Sequence, residues 1–168
     1  MKKVVVELTV NGAERQVLVL PGATLLDTLR EQGLTGTRRG CDQGACGACT
    51  VLVDGRTAMA CLLPVETIDG ARVETIEGLT PVEGLHPIQQ AFLEGFATQC
   101  GFCTPGMIMA TAGLLAETPA PTREDAVRAI SGNICRCTGY AAILDAVLDA
   151  ARRVREAEPA DLPASEVA

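Results

Sequence analysis

The chain has no tryptophan, one tyrosine, three phenylalanines and a single histidine, and its 14 lysines and arginines are outnumbered by 21 aspartates and glutamates. A net charge of −7 and so few rings leave neither a basic footprint nor a stacking platform, which argues against a nucleic-acid partner. Long apolar runs are missing too. Charges, glycines and prolines interrupt every candidate before the ~20 residues that span a bilayer, so no membrane span is expected. The opening MKKVVVELTV has two lysines, but Glu7 breaks its apolar stretch and no small-residue cleavage site follows, so it reads as a strand rather than a signal peptide. Neither G-x-x-x-x-G-K nor G-x-G-x-x-G after a strand occurs, so no phosphate or dinucleotide loop is offered. His86, just before Pro87, reads as a helix cap or surface residue rather than a catalytic base.

What the chain does have is cysteine, eight in 168 residues. Without an export signal the expected compartment is the cytoplasm, where thiols stay reduced and such a density points to metal rather than disulfides. An even count allows two complete sets of four ligands. The apolar content of 48% suffices for one medium or two small soluble domains.

Val4, Val6, Leu8 and Val10 alternate, and Asn11-Gly12 turns the chain into RQVLVLP, a β-hairpin signal. Thr24 and Asp27 form a capping-box pattern for a short helix that Gly33 ends. Two strand-like runs flank Asp54-Gly55, and ARVETIE supplies a last strand. Residues 1–76 thus read as ββα plus further strands. After a linker at 77–85, helices are predicted from Pro87 to Ala97, from Thr104 (N-cap) and Pro105 (N1), from Thr122 with Asp125 to Ser131, and from Tyr140 along Ile143, Val147, Ala150 and Val154. The second of these is apolar all round and should be buried on most sides, with Met107 and Met109 as core filling. Residues 86–156 are therefore four helices, and 157–168 a flexible tail.

Cys41, Cys46, Cys49 and Cys61 follow C-x4-C-x2-C-x11-C, the plant-type [2Fe–2S] spacing. Here a loop wraps three thiolates round one side of a cluster and a strand delivers the fourth. Gly40, Gly44 and Gly47 are expected to adopt positive φ and bring backbone N–H groups to the sulfurs. Structural zinc, the competing reading, favours paired C-x2-C knuckles. Cys100, Cys103, Cys135 and Cys137, as C-x2-C-x31-C-x-C, are ambiguous: on spacing alone iron–sulfur and zinc stand level. Arg38 and Arg39 before the first loop read as surface charge, and Arg136, between two thiols, as local electrostatics.

GCDQGACGACTVLVDG, QCGFCTPGMIM and GNICRCTGY together closely resemble the small two-cluster subunit of the molybdenum hydroxylases, the group of xanthine dehydrogenase, aldehyde oxidoreductase, carbon monoxide dehydrogenase and 4-hydroxybenzoyl-CoA reductase. The resemblance covers residues 3 to about 155. It implies an α+β chain: an N-terminal β-grasp plant-type ferredoxin domain (1–76) and a C-terminal four-helix bundle (86–156), each with one [2Fe–2S] cluster, the second quartet being taken for iron. It further implies a large molybdopterin subunit and an FAD-binding subunit or domain as partners, in a dimer of heterotrimers. Electrons would pass from molybdenum through the helical-domain cluster, then the ferredoxin-domain cluster, to FAD. Gln99 and Cys137 would lie beside the pterin. No substrate-converting residue is expected on this chain, so the oxidoreductase activity belongs to the complex. The alternatives are a free-standing two-cluster ferredoxin, and a zinc-stabilised interaction module with no redox role.

Overall fold

A computed structural model describes residues 2–157; the expected tail lies, beyond Ala157, outside the described residues. Strands β1 (Val4–Val10) and β2 (Ala13–Val19) form the first hairpin, and β3 (Thr50–Val53) with β4 (Arg56–Met59) the second. Both turns have two residues with positive φ: Asn11 (51°) with Gly12 (78°), and Asp54 (49°) with Gly55 (76°). That backbone twist matches the flanking strands and selects Asn-Gly and Asp-Gly. β5 (Arg72–Glu74) lies between the hairpins, parallel to β1 and antiparallel to β3, giving the order β2-β1-β5-β3-β4.

Helix α1 (Leu25–Glu31) covers one face of this sheet. Thr24 caps it by accepting from the Asp27 N–H, and Leu25, Leu26 and Leu29 pack against Val6, Leu8, Val10, Val51 and Val73. Each such leucine, fully buried, contributes about 1.5–3 kcal/mol. The predicted alternation in β1 is seen at Val6, Leu8 and Val10, while Val4, at the strand end, is exposed.

A second core gathers α3 (Pro87–Glu94), α4 (Thr104–Glu117), α5 (Arg123–Ile130) and α6 (Ala141–Glu156), with α3 on α6, α4 on α5 and α5 on α6. Met107 and Met109 are core residues, as read from the sequence. Thr122 and Asp125 form the predicted reciprocal box. His86 is a buried cap, its Nδ1 accepting from the Ile88 N–H.

Three expectations are corrected. The segment read as linker begins with helix α2 (Ile76–Leu79), held because Asn11 accepts from the Thr75 N–H and donates to its hydroxyl. Helix α3 stops before Gly95 rather than running to Ala97, since Phe96 takes a positive φ of 52°. The N-cap of α4 is Cys103, which moves Thr104 to the first helical position. Thr104 instead shares a 3.2 Å hydroxyl contact with Thr98, so its side chain closes the preceding loop rather than capping.

Helix α4 joins the two halves. Its Gly106 and Gly113 face the first half so closely that a Cβ on Gly106 would lie 2.3 Å from the Gly47 carbonyl oxygen, and one on Gly113 2.6 Å from the Thr57 methyl.

Candidate metal centres

The loop from Gly40 to Thr50 is fixed at both ends. The Arg38 N–H donates to the Ala48 carbonyl at 3.1 Å, and the Thr50 hydroxyl to the Gly47 carbonyl at 2.7 Å. Arg39 pairs with Asp42 at 2.6 Å and with Asp27 of α1, so it is engaged rather than simply solvated. Cys49 and Cys61 are buried, Cys41 and Cys46 half-buried. Cys61 stands in a 3₁₀ turn (Ala60–Leu62) just past β4, not on a strand: the strand ends at Met59 and the turn swings its thiol inward.

Within this quartet the thiols of Cys41 and Cys46 touch, as do those of Cys49 and Cys61. Backbone N–H groups of Gln43 and Ala45, then the Cys46 thiol, pull Cys41 down to about 7. Burial pushes Cys49 up to about 11 and also raises Cys46, against an N–H from Ala48. The donors aimed at sulfur therefore belong to residues beside the glycines. Gly44 and Gly47 supply the expected positive φ (71° and 67°), but Gly40 does not. Gly40 is needed for space, because a Cβ there would sit 2.7 Å from the Cys46 sulfur.

The second quartet lies at the junctions α3–α4 and α5–α6. Cys103 is the α4 N-cap, Cys135 is buried, and Cys100 and Cys137 are exposed. The Cys100 and Cys137 sulfurs are 3.8 Å apart, and Cys103 contacts Cys135. Burial, then the Cys135 thiol, pushes Cys103 up to about 12, and the Cys100 thiol raises Cys137. Burial also opposes ionisation of Cys135. The Thr138 hydroxyl at 3.2 Å from its sulfur and the N–H groups of Cys137 and Thr138 outweigh it, and the net direction is down. Gln99 is exposed beside Cys100, and Arg136 is exposed between Cys135 and Cys137.

Sequence reasoning passed over Asn133 and Tyr140. The Tyr140 oxygen accepts from the Cys135 N–H at 2.8 Å and donates to the Asn133 carbonyl at 3.2 Å, and Tyr140 itself has a left-handed φ of 68°. Their place inside GNICRCTGY, around two thiols, was the available signal.

Among the described residues no three His, Cys, Asp or Glu side chains are gathered tightly enough for one metal ion. Each quartet instead presents two thiol pairs, a donor set that fits a two-iron centre with two thiolates per iron. A family model described as a 2Fe-2S iron-sulfur cluster binding domain matches residues 8–73, and a second, a [2Fe-2S] binding domain, matches residues 75–148. The chain belongs to the small iron–sulfur subunits of the molybdenum hydroxylases. It is 47% identical to the nicotine 6-hydroxylase small subunit of Paenarthrobacter nicotinovorans, over 88% of this chain and 90% of that one. Identity to the xanthine dehydrogenase iron-sulfur-binding subunit of Escherichia coli O157:H7 is 46%, over 87% and 93%. Among solved structures, quinoline 2-oxidoreductase from Pseudomonas putida 86 superposes with a TM-score of 0.88 at 43% identity, covering 94% of this chain and 99% of the matched one. Two [2Fe–2S] binding domains share this one polypeptide, and zinc in the second quartet is no longer an equal reading. Among the described residues no helix is long and apolar enough to cross a membrane.

Proposed function

We propose that this chain is the electron-transfer subunit of a cytoplasmic molybdopterin-dependent hydroxylase or dehydrogenase. In this reading the sheet with α1 is a β-grasp ferredoxin domain over 1–76 and the four helices over 86–156 are the second domain. Cys41, Cys46, Cys49 and Cys61 hold the first cluster, and Cys100, Cys103, Cys135 and Cys137 the second. When bound, each cluster supplies a one-electron carrier, so that the pair relays electrons between a molybdenum centre and FAD on partner subunits.

The observation that carries the reading is the grouping of the eight thiols into two separate four-thiol sets, one on each core. The chain's residues supply the rest. N–H groups of Gln43, Ala45 and Cys46 face the Cys41 sulfur, and those of Cys137 and Thr138 face Cys135. Such donors stabilise negative charge on sulfur and tune its potential. Burial of Cys49 and Cys61 keeps water from the inner side of the first set. The exposed rim of Gln99, Cys100 and Cys137 is the face for the molybdopterin subunit, in which Gln99 and Cys137 lie near the pterin; the FAD partner completes a heterotrimer that dimerises.

Purification of the tagged chain from its native host tests this. A larger molybdopterin chain and a flavoprotein should accompany it, and substrate should reduce both clusters. A fully loaded chain that purifies alone would favour a free-standing ferredoxin.

A further inference from the structure

Helix α3 ends on a residue that its backbone does not favour. The Ala97 N–H donates to the Phe92 carbonyl at 3.0 Å and the Phe96 N–H to the Leu93 carbonyl at 3.3 Å. This pair of bonds closes a helix through one left-handed residue, most often glycine. Here that residue is Phe96, at φ 52°. A Cβ in this region crowds the following carbonyl, so phenylalanine carries a strain that glycine would not. The ring recovers little of it within the chain, because Phe96 is 79% exposed. Leu93, three residues earlier, and Thr98, two residues later, both line an apolar groove of about 350 Å³. Phe92 and Ile108, buried, and Pro105 form its inner surface, while Leu85 and Leu93 are exposed beside it. None of the residues lining it is charged, on a chain in which 21% are. Depletion of charge marks the centre of a protein interface. Two further lining residues, Thr98 and Gly101, bracket Gln99 and Cys100, so the groove is continuous with the exposed rim assigned to the molybdopterin subunit.

We propose that Phe96 and this groove are the anchor by which the chain selects its large molybdopterin subunit. An apolar side chain of that subunit enters the groove between Leu85 and Leu93, and the Phe96 ring packs over it. The proposal rests on the function proposed above and goes beyond it, by naming the residues that decide which large chain is accepted. Buried aromatic anchors at the centre of an interface carry most of its binding energy. The strain at Phe96 is then offset in the complex rather than in the free chain. A large chain with a polar or short side chain at that point leaves the ring in water and the groove unfilled, so the same device rejects wrong partners.

The test is a competition in the native host, with the tag on the large molybdopterin chain. Wild-type small chain and one variant are expressed together at equal levels, the complex is purified through the tag, and mass spectrometry gives the ratio of the two small chains in it. The variants are Phe96→Gly, Leu93→Gln and, as a control, Leu18→Gln in β2, where the leucine is 59% exposed in the other half of the chain. Phe96→Gly should be depleted roughly thirtyfold, the order of a hot-spot loss. Urea unfolding of the full-length Phe96→Gly chain, expressed without partners, should come at the same or a higher urea concentration than wild type, because the left-handed strain is gone. Leu93→Gln should be depleted severalfold and Leu18→Gln should enter at parity. Parity for Phe96→Gly would overturn the anchor, and so would a depletion matched by lost urea stability, which would assign the ring to the fold. A wild-type chain that is a dimer on its own and becomes monomeric with Phe96→Gly, while competition stays at parity, would overturn it in favour of a second copy. A tagged molybdopterin chain that retains no small chain of either kind would instead overturn the underlying function.

Discussion

Gly106→Ala sets two effects of known sign against each other. In a helix interior alanine is more favourable than glycine by about 0.8–1 kcal/mol, which is the upper bound at Gly106 in the first turn of α4, so propensity alone predicts that α4 gains stability. The structure predicts the opposite outcome. The new Cβ would lie 2.3 Å from the Gly47 carbonyl oxygen and 3.2 Å from both the Ala48 Cα and the Asn133 amide nitrogen. Two of these are backbone atoms, with no flexible end to swing aside. The Gly47 carbonyl also accepts from Asn133 at 2.8 Å and from the Thr50 hydroxyl at 2.7 Å. Retreat by about an ångström therefore strains those bonds. Overpacking costs about 1–3 kcal/mol and a weakened hydrogen bond about 1 kcal/mol, so the net expectation is destabilisation by about 1–3 kcal/mol after the propensity gain is subtracted. Gly113→Ala, on the same helix, is the internal comparison. Its nearest neighbour, at 2.6 Å, is the methyl group of Thr57, a side chain on the exposed strand β4 that can shift, so its cost should be smaller. Urea unfolding of the loaded chain, followed by cluster absorbance and by far-ultraviolet circular dichroism, ranks the variants. A Gly106→Ala protein as stable as wild type would show that the two halves do not meet as closely as described.

Thr138→Val removes the hydroxyl hydrogen bond to the Cys135 sulfur; the reduction potential of the helical-domain cluster should fall by tens of millivolts, about what one hydrogen bond of ~1 kcal/mol supplies, and EPR-monitored redox titration should leave the other cluster unchanged. Tyr140→Phe strands the Cys135 N–H and should cost about 1–3 kcal/mol of stability, measured by the same urea unfolding, with the iron content of freshly purified protein retained. Cys49→Ser should abolish or strongly perturb the ferredoxin-domain EPR signal and leave the other, because the quartets share no ligand; in the complex, substrate should then still reduce the helical-domain cluster while flavin reduction slows severely. Cys135→Ser should instead leave both the ferredoxin-domain cluster and the flavin unreduced by substrate.

Much of the architecture was legible because local rules were not overridden. Asn11-Gly12 and Asp54-Gly55 place positive φ where two-residue hairpins need it, and Thr122 with Asp125 caps α5 as its spacing requires. The misreadings came from tertiary contacts that leave no periodic trace. Helix α2 forms in a stretch with Gly78 and Pro81 because Asn11, 64 residues before Thr75, satisfies the Thr75 backbone. The α4 cap shifted to Cys103 because Thr104 turns toward Thr98. At the candidate centres the thiols announced themselves by spacing, whereas the parts that hold them did not. Asn133 and Tyr140 act across loop boundaries, and Gly40 matters for the sulfur it lets in rather than for its φ. None of these follows from residue type until the loops are seen in contact.

The central claim is that this one chain carries two separate one-electron sites. Mössbauer spectroscopy of the ⁵⁷Fe-enriched chain, combined with anaerobic reductive titration, tests it most directly. Two [2Fe–2S] binding domains predict about four iron and four labile sulfide per chain, uptake of about two electrons, and two EPR signals of distinct potential. Iron near two per chain with a single signal, or equimolar zinc in place of the second centre, would contradict the account.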